Sequence, residues 1–295
     1  MYLKSFLSLF CLVTIFGCDN SVHSSSEEDG FVDYPLTSYL DIDVDSLGRL
    51  PENPYVVNVE KNGKHIIVVG TLHSRDTLDP LFISIEKLFN QFQPTVSINE
   101  GGKVTDSYLN RNNAIQKDGE VGLLKFLCDS LKIEMINGDA QEKDEFLMLS
   151  KAFSREEALF YYTSERFVLP LQHWATEEYD IDSLYKTEFI DGYLNSCGIK
   201  LNSEEKTFDY YRNHYKQYFK KDFHIEDLNS DDFITIKNQH HFSELARKSC
   251  NFRDRHLLEL IEKELKQHDR IIVVFGGWHV LAIEPAVKQI INKSQ

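Results

Sequence analysis

Two apolar runs, about two hundred residues apart, end alike: "IIVVGTLH" (Ile66 to His73) and "IIVVFGGWH" (Ile271 to His279) both finish in Gly-x-x-His. Chance spacing of 14 glycines and 11 histidines over 295 residues accounts for fewer than one such motif, and here both follow a β-branched run. Two carboxylates hold comparable positions. Glu100 follows the run "TVSIN" and precedes Gly101-Gly102, and Asp139 follows "IEMING". Two imidazoles and two carboxylates suit a first-row divalent cation such as Mn, Fe, Co or Zn, with His73, His279, Glu100 and Asp139 as ligands. The same set suits a metal-free acid–base site in which a carboxylate poises a histidine near neutral pH. Packing is the competing account, and for Asp139 an ordinary turn competes as well, since "NGD" is turn chemistry.

These residues need elements that end together. "YVVNVEKNGKHIIVVG" reads as a hairpin around Asn62-Gly63. Leu81, Phe82, Ile85, Leu88, Phe89 and Phe92 recur at helical spacing before Pro94. "TVSINEGG" and "IEMING" are short strands separated by the amphipathic "VGLLKFLCDSLK". A helix over "FRDRHLLELIEKELKQHD", opened by Arg253 and Asp254, then feeds the strand "RIIVVFGGWHV", and "EPAVKQIINKSQ" closes as a short helix. Alternating strands and helices predict an α/β fold with a mainly parallel sheet flanked by helices. In such a sheet the carboxyl ends of the strands line the ligand crevice, so His73, Glu100, Asp139 and His279 share one edge. Arg253 is expected to reach a carboxylate, either of a peptide substrate or of Glu100; a surface charge pair is the plainer alternative.

Residues 146–250 differ in character: long, charged and aromatic-rich, with little strand signal. They are expected to be a large helical insertion, a lid or cap, within an α/β domain over 51–295. Within it Tyr210, Tyr211, Tyr215 and Tyr218 at helical spacing read as core, and adjacent His240 and His241 point apart and read as surface. Trp278 either walls a pocket or packs.

The formal net charge of −15 argues against a nucleic-acid partner, which requires a basic face. Residues 1–17 have a signal-peptide layout: Lys4, then an apolar stretch from Phe6 to Phe16 that is short for a membrane span. The ending "IFGC" resembles a bacterial lipoprotein processing box, which makes Cys18 the expected lipidation site. Residues 18–50 are expected as a flexible tether, and the mature protein as lipid-anchored in the bacterial cell envelope. Cys128, Cys197 and Cys250 show no CxxC spacing and read as small buried hydrophobes.

Taken together, "GTLH" (70–73), "NEGG" (99–102), "RDRHL" (253–257) and "GGWH" (276–279) resemble the TraB/GumN and Tiki family, in a wider group with erythromycin esterases and ChaN haem-binding lipoproteins. The resemblance covers about residues 55–145 and 245–290. It implies an α/β fold and, in the Tiki branch, a Mn- or Co-dependent peptidase that requires two motif histidines and a glutamate, here His73, His279 and Glu100. On that expectation the protein is a metal-dependent hydrolase of peptide or small-molecule substrates, with Glu100 as ligand or base and Arg253 steadying the substrate carboxylate or Glu100. The ChaN branch implies the alternative, capture of haem or another ligand without turnover. Many relatives carry a Glu-Pro element where this chain has "NGDAQEKDE", so Asp139 departs from the pattern.

Overall fold

The structure is a computed structural model and describes residues 33–174, 179–236 and 238–294. The expected signal peptide, Cys18 and residues 18–32 of the expected tether lie outside the described residues. Among the described residues, no helix is long and apolar enough to cross a membrane.

The chain divides into two compact units, one holding the described residues up to Asp139 and from Arg253 onward, the other Ala140–Phe252. In chain order the first unit contributes β1 (Tyr55–Lys61), β2 (Lys64–Thr71), α1 (Pro80–Phe92), β3 (Val96–Asn99), α2 (Arg111–Leu131) and β4 (Glu134–Asn137). The second contributes α3 (Glu142–Ala152), α4 (Arg155–Thr163), α5 (Leu169–Trp174), α6 (Ile181–Leu184) and α7 (Phe208–Phe219), with π-helical stretches at Ser164–Val168 and Tyr185–Leu194. Helix α8 (His241–Leu265) belongs to the second unit through Phe252 and to the first from Arg253; β5 (Arg270–Gly276) and α9 (Gly277–Lys293) complete the first.

The sheet is the expected α/β one. Its order is β1-β2-β5-β3-β4, with only β1 antiparallel. Asn62 and Gly63 take φ of 52° and 80°, the two left-handed positions a tight hairpin turn demands. Strand β5, last in sequence, lies between β2 and β3, so the two Gly-x-x-His strands are direct parallel neighbours with Thr71 opposite Gly276. Alternation sends Ile67, Val69, Ile272 and Val274 to the face covered by Leu81, Phe82, Ile85 and Phe89 of α1 and Leu123, Leu124 and Leu127 of α2. Ile66, Val68, Ile271 and Val273 pack on the other face against Leu257, Leu258 and Ile261 of α8 and Val280, Ile283 and Val287 of α9. Both faces are covered, which is why these strands read as continuous apolar runs.

Three boundaries differ from expectation. Residues 33–50, within the expected tether, are packed: Tyr34, Tyr39, Ile42, Val44 and Leu50 are buried, and the Trp278 indole donates to the Gly48 carbonyl at 2.9 Å. Helix α8 begins at His241, so Arg253 and Asp254 sit in its interior instead of opening it. Helix α9 starts directly at Gly277, which places His279 in its first turn.

In the second unit the described elements are helical, and the core is aromatic. Tyr211 and Tyr215 are fully buried and Tyr210 and Tyr218 half-buried, as core spacing predicts, with Phe160 stacked on Tyr211 at 4.7 Å. His241 meets Glu157 at 2.7 Å while His240 faces the Asp232 carbonyl, so the adjacent pair does point apart. Cys128 is buried as expected, but Cys197 and Cys250 are only half-buried.

Candidate functional site

The parallel register aligns the strand ends, with Asn99 opposite both Val274 and Asn137 and Thr71 opposite Gly276. Each candidate residue follows at once: Glu100 one residue past β3, His73 and Asp139 two past β2 and β4, and His279 in the first turn of α9. Glycines permit the crowding. A Cβ on Gly276 would meet a Glu100 carboxylate oxygen at 3.0 Å, and one on Gly70 would meet the Gly277 Cα at 3.0 Å.

Arg253 joins two of the four. Its Nη2 donates to Glu100 Oε1 at 2.7 Å and to Asp139 Oδ1 at 2.6 Å, and its Nε donates to the same Asp139 oxygen at 3.1 Å. The Gly276 N–H donates to Glu100 Oε2 at 2.5 Å and the Gly101 N–H to Asp139 Oδ2 at 2.6 Å. All four carboxylate oxygens therefore accept an N–H, and the three side chains are 14–18% exposed. Arg253 thus reaches Glu100 and, with it, Asp139.

His279 is held from the opposite side. Its Nδ1 lies 2.6 Å from Asp254 Oδ1, and Asp254 is fully buried. The Tyr39 hydroxyl donates to Asp254 Oδ2 at 2.8 Å and also lies 2.8 Å from His279 Nδ1. An ionised carboxylate only accepts, so both neighbours donate to it. That assigns the imidazole proton to Nδ1 and leaves Nε2 facing Glu100 Oε1 at 4.0 Å and Arg253 Nη1 at 3.5 Å. The Phe275 ring stands edge-on at 5.5 Å and fixes the imidazole plane.

His73 is the exposed member, with its side chain 70% accessible, and its Nδ1 is 3.5 Å from Glu120 Oε1. That contact, aided by the charge of Glu100, raises its pKa to about 9 against the opposing effect of desolvation. For Glu100, burial pushes the pKa up, but the Arg253 guanidinium, both histidines and the Gly276 amide outweigh it and hold the carboxyl at about 2.

Four residues foreseen from spacing thus gather on one edge, and Arg253 with them. Tyr39 and Glu120 were not foreseen. Tyr39 lies in a stretch without periodicity, and the only hint at Glu120 was a glycine beside it inside a helical run. In the sequence Asp254 stands out only as a charge beside Arg253, whereas the structure makes it the partner of His279.

A divalent metal fits this arrangement poorly. Among the described residues, no group of three or more His, Cys, Asp or Glu is placed to hold a metal ion. Glu100 and Asp139 already answer to one guanidinium, whose nitrogens approach both atoms, Glu100 Oε1 and His279 Nε2, that a cation would share. His73 is turned toward Glu120. The Arg253 guanidinium gives both carboxylates a positively charged partner.

The molecule is therefore an α/β protein with a histidine–carboxylate site at the carboxyl edge of its sheet. No protein-family model and no curated protein matches the chain.

Proposed function

We propose that this protein is a hydrolase of peptide or related acyl bonds, with His279 as general base. The carrying observation is the buried pair of His279 and Asp254, with Nδ1 bound at 2.6 Å and Nε2 directed at Glu100 and Arg253. A fixed tautomer with Nε2 presented to the site is the arrangement by which an imidazole takes a proton from an attacking water. Asp254, with Tyr39 beside it, orients the ring and stabilises the imidazolium that forms. The Arg253 guanidinium, held by Glu100 and Asp139, lies where charge developing on a carbonyl oxygen would be stabilised. The substrate class rests on the TraB/GumN and Tiki resemblance, as does a metal requirement.

The interruption of the sheet-bearing chain between Asp139 and Arg253 supports reading residues 140–252 as a helical insertion. Lipid attachment at Cys18 and a place in the cell envelope remain part of this reading and rest on the sequence of residues 1–18. The test is a broad peptide and ester library, assayed with chelator and again with Mn, Co or Zn. Turnover in chelator supports the acid–base site. Turnover only with metal places a cation in the site and requires Arg253 to move. No turnover in either condition ends the hydrolase reading.

A further inference from the structure

Glu120 is a buried carboxylate whose surroundings leave it one task. Its side chain is 6% exposed, and Oε1 lacks a hydrogen-bond partner among the described residues. An unsatisfied carboxylate oxygen removed from water is costly, yet the fold goes out of its way to put one here. Helix α2 breaks immediately before it. Asp118 takes φ −134° and ψ 19°, and Gly119 takes φ 57° and ψ −133°. Two contacts depend on that break. A Cβ on Gly119 would lie 2.7 Å from the Ser74 carbonyl, one residue past His73, and a Cβ on Gly122 would lie 2.2 Å from the Ala114 carbonyl. The break is anchored as well: the Tyr108 hydroxyl donates to Asp118 at 2.5 Å. The start of α2 is tied to the loop carrying His73 and to α1, because Arg111 donates to the Thr77 carbonyl at 3.2 Å and to Glu86 at 2.7 Å. The bare oxygen faces His73 Nδ1 at 3.5 Å, slightly beyond hydrogen-bond length and within a small shift of an exposed side chain.

We propose that Glu120 is the positioning residue of His73, accepting the proton on Nδ1 so that Nε2 is the atom turned toward the sheet edge. The site then carries two histidine–carboxylate pairs of the same polarity. In both, a buried carboxylate faces Nδ1: Asp254 for His279 and Glu120 for His73. One pair is closed off from solvent and the other open to it, with His279 10% and His73 70% accessible. Under the hydrolase reading, on which this division rests, the closed pair takes a proton from the attacking water on His279 Nε2, and the open pair, with His73 as imidazolium protonated on both nitrogens, gives its Nε2 proton to the departing group.

The experiment reads the imidazole nitrogens directly by histidine-selective nitrogen NMR on the full chain at about pH 10, above the raised His73 pKa of about 9, where the ring is neutral and carries a single proton. His73 is assigned by its disappearance in His73→Gln. The wild type is expected to carry the proton on His73 Nδ1. Glu120→Gln, which keeps an accepting oxygen, retains it; Glu120→Leu, which fills the space without an acceptor, loses it and moves the proton to Nε2. A merely structural Glu120 leaves the His73 proton position unchanged between these variants. A wild-type His73 protonated only on Nε2 overturns the proposal whether or not either variant folds. A predicted proton position in a protein that hydrolyses nothing leaves the pairing intact and removes the hydrolase reading instead.

Discussion

Arg253 binds two carboxylates at once, and the three side chains are largely withdrawn from water. Removing the cation leaves Glu100 and Asp139 with their backbone N–H partners but without their shared counter-charge, and breaking a buried ion pair costs about 3–5 kcal/mol. Arg253→Met is therefore expected to lower stability by roughly that amount, and Asp139→Asn combined with it to recover part of the loss. Denaturant unfolding of the single and double variants measures both, and purely additive losses would refute the coupling. Spacing and strand-end position were enough to find His73, Glu100, Asp139 and His279, because strand ends are legible wherever a β-branched run meets glycine. Tyr39 was not legible. "VDYPLTSYLDIDVDSLGRL" has neither helical nor alternating period, and only a tertiary contact, the hydrogen bond to buried Asp254, puts that tyrosine in the site.

At the scale of elements, helix breaks do the positioning. The break at Gly119 lets α2 touch the loop after β2, and no residue with a Cβ fits both φ +57° and a 2.7 Å approach to the Ser74 carbonyl. Gly119→Ala is expected to cost about 1–3 kcal/mol and to displace Glu120 from His73. Thermal unfolding together with the His73 nitrogen spectrum checks both effects, and a variant as stable as wild type would show that the break is incidental. The sheet order was only partly legible. Parallel pairing followed from alternating strands and helices, but nothing local placed β5 between β2 and β3. Helix starts are obscured in the sequence for a related reason. "HFSELARKSC" before Phe252 carries helical spacing of its own, so α8 continues through a point where a charged pair had suggested a start.

At the scale of the whole molecule, the two units carry perturbed carboxyls of opposite sense. Glu100 in the sheet unit sits at about 2, below its ordinary 4.5, so its contribution to stability is present above about pH 4.5 and is lost as pH falls toward 2. Glu165 in the helical unit is raised by burial from 4.5 to about 7. Its protonated form is favoured on folding, so that contribution is complete below about pH 4.5 and is lost as pH rises through 7. Stability is expected to be greatest between these limits. Glu165→Gln should flatten the fall between pH 6 and 8 by about 1–2 kcal/mol and leave the profile below about pH 4.5 unchanged. Melting curves at about pH 3, 6 and 8 decide it, and an alkaline loss in Glu165→Gln equal to that of wild type contradicts it. The lipid anchor is also a whole-molecule claim: metabolic fatty-acid labelling should mark the wild type and not Cys18→Ser, and equal labelling of both would remove it.

The central claim is that His279, oriented by Asp254, is the base of a hydrolytic site. The most direct measurement is turnover of the best library substrate by wild type, Asp254→Asn and His279→Gly, the last with and without added imidazole. The expected result is a loss on the order of 10²–10⁴-fold in each variant, with imidazole restoring part of the activity of His279→Gly alone. Undiminished turnover in His279→Gly would contradict the account.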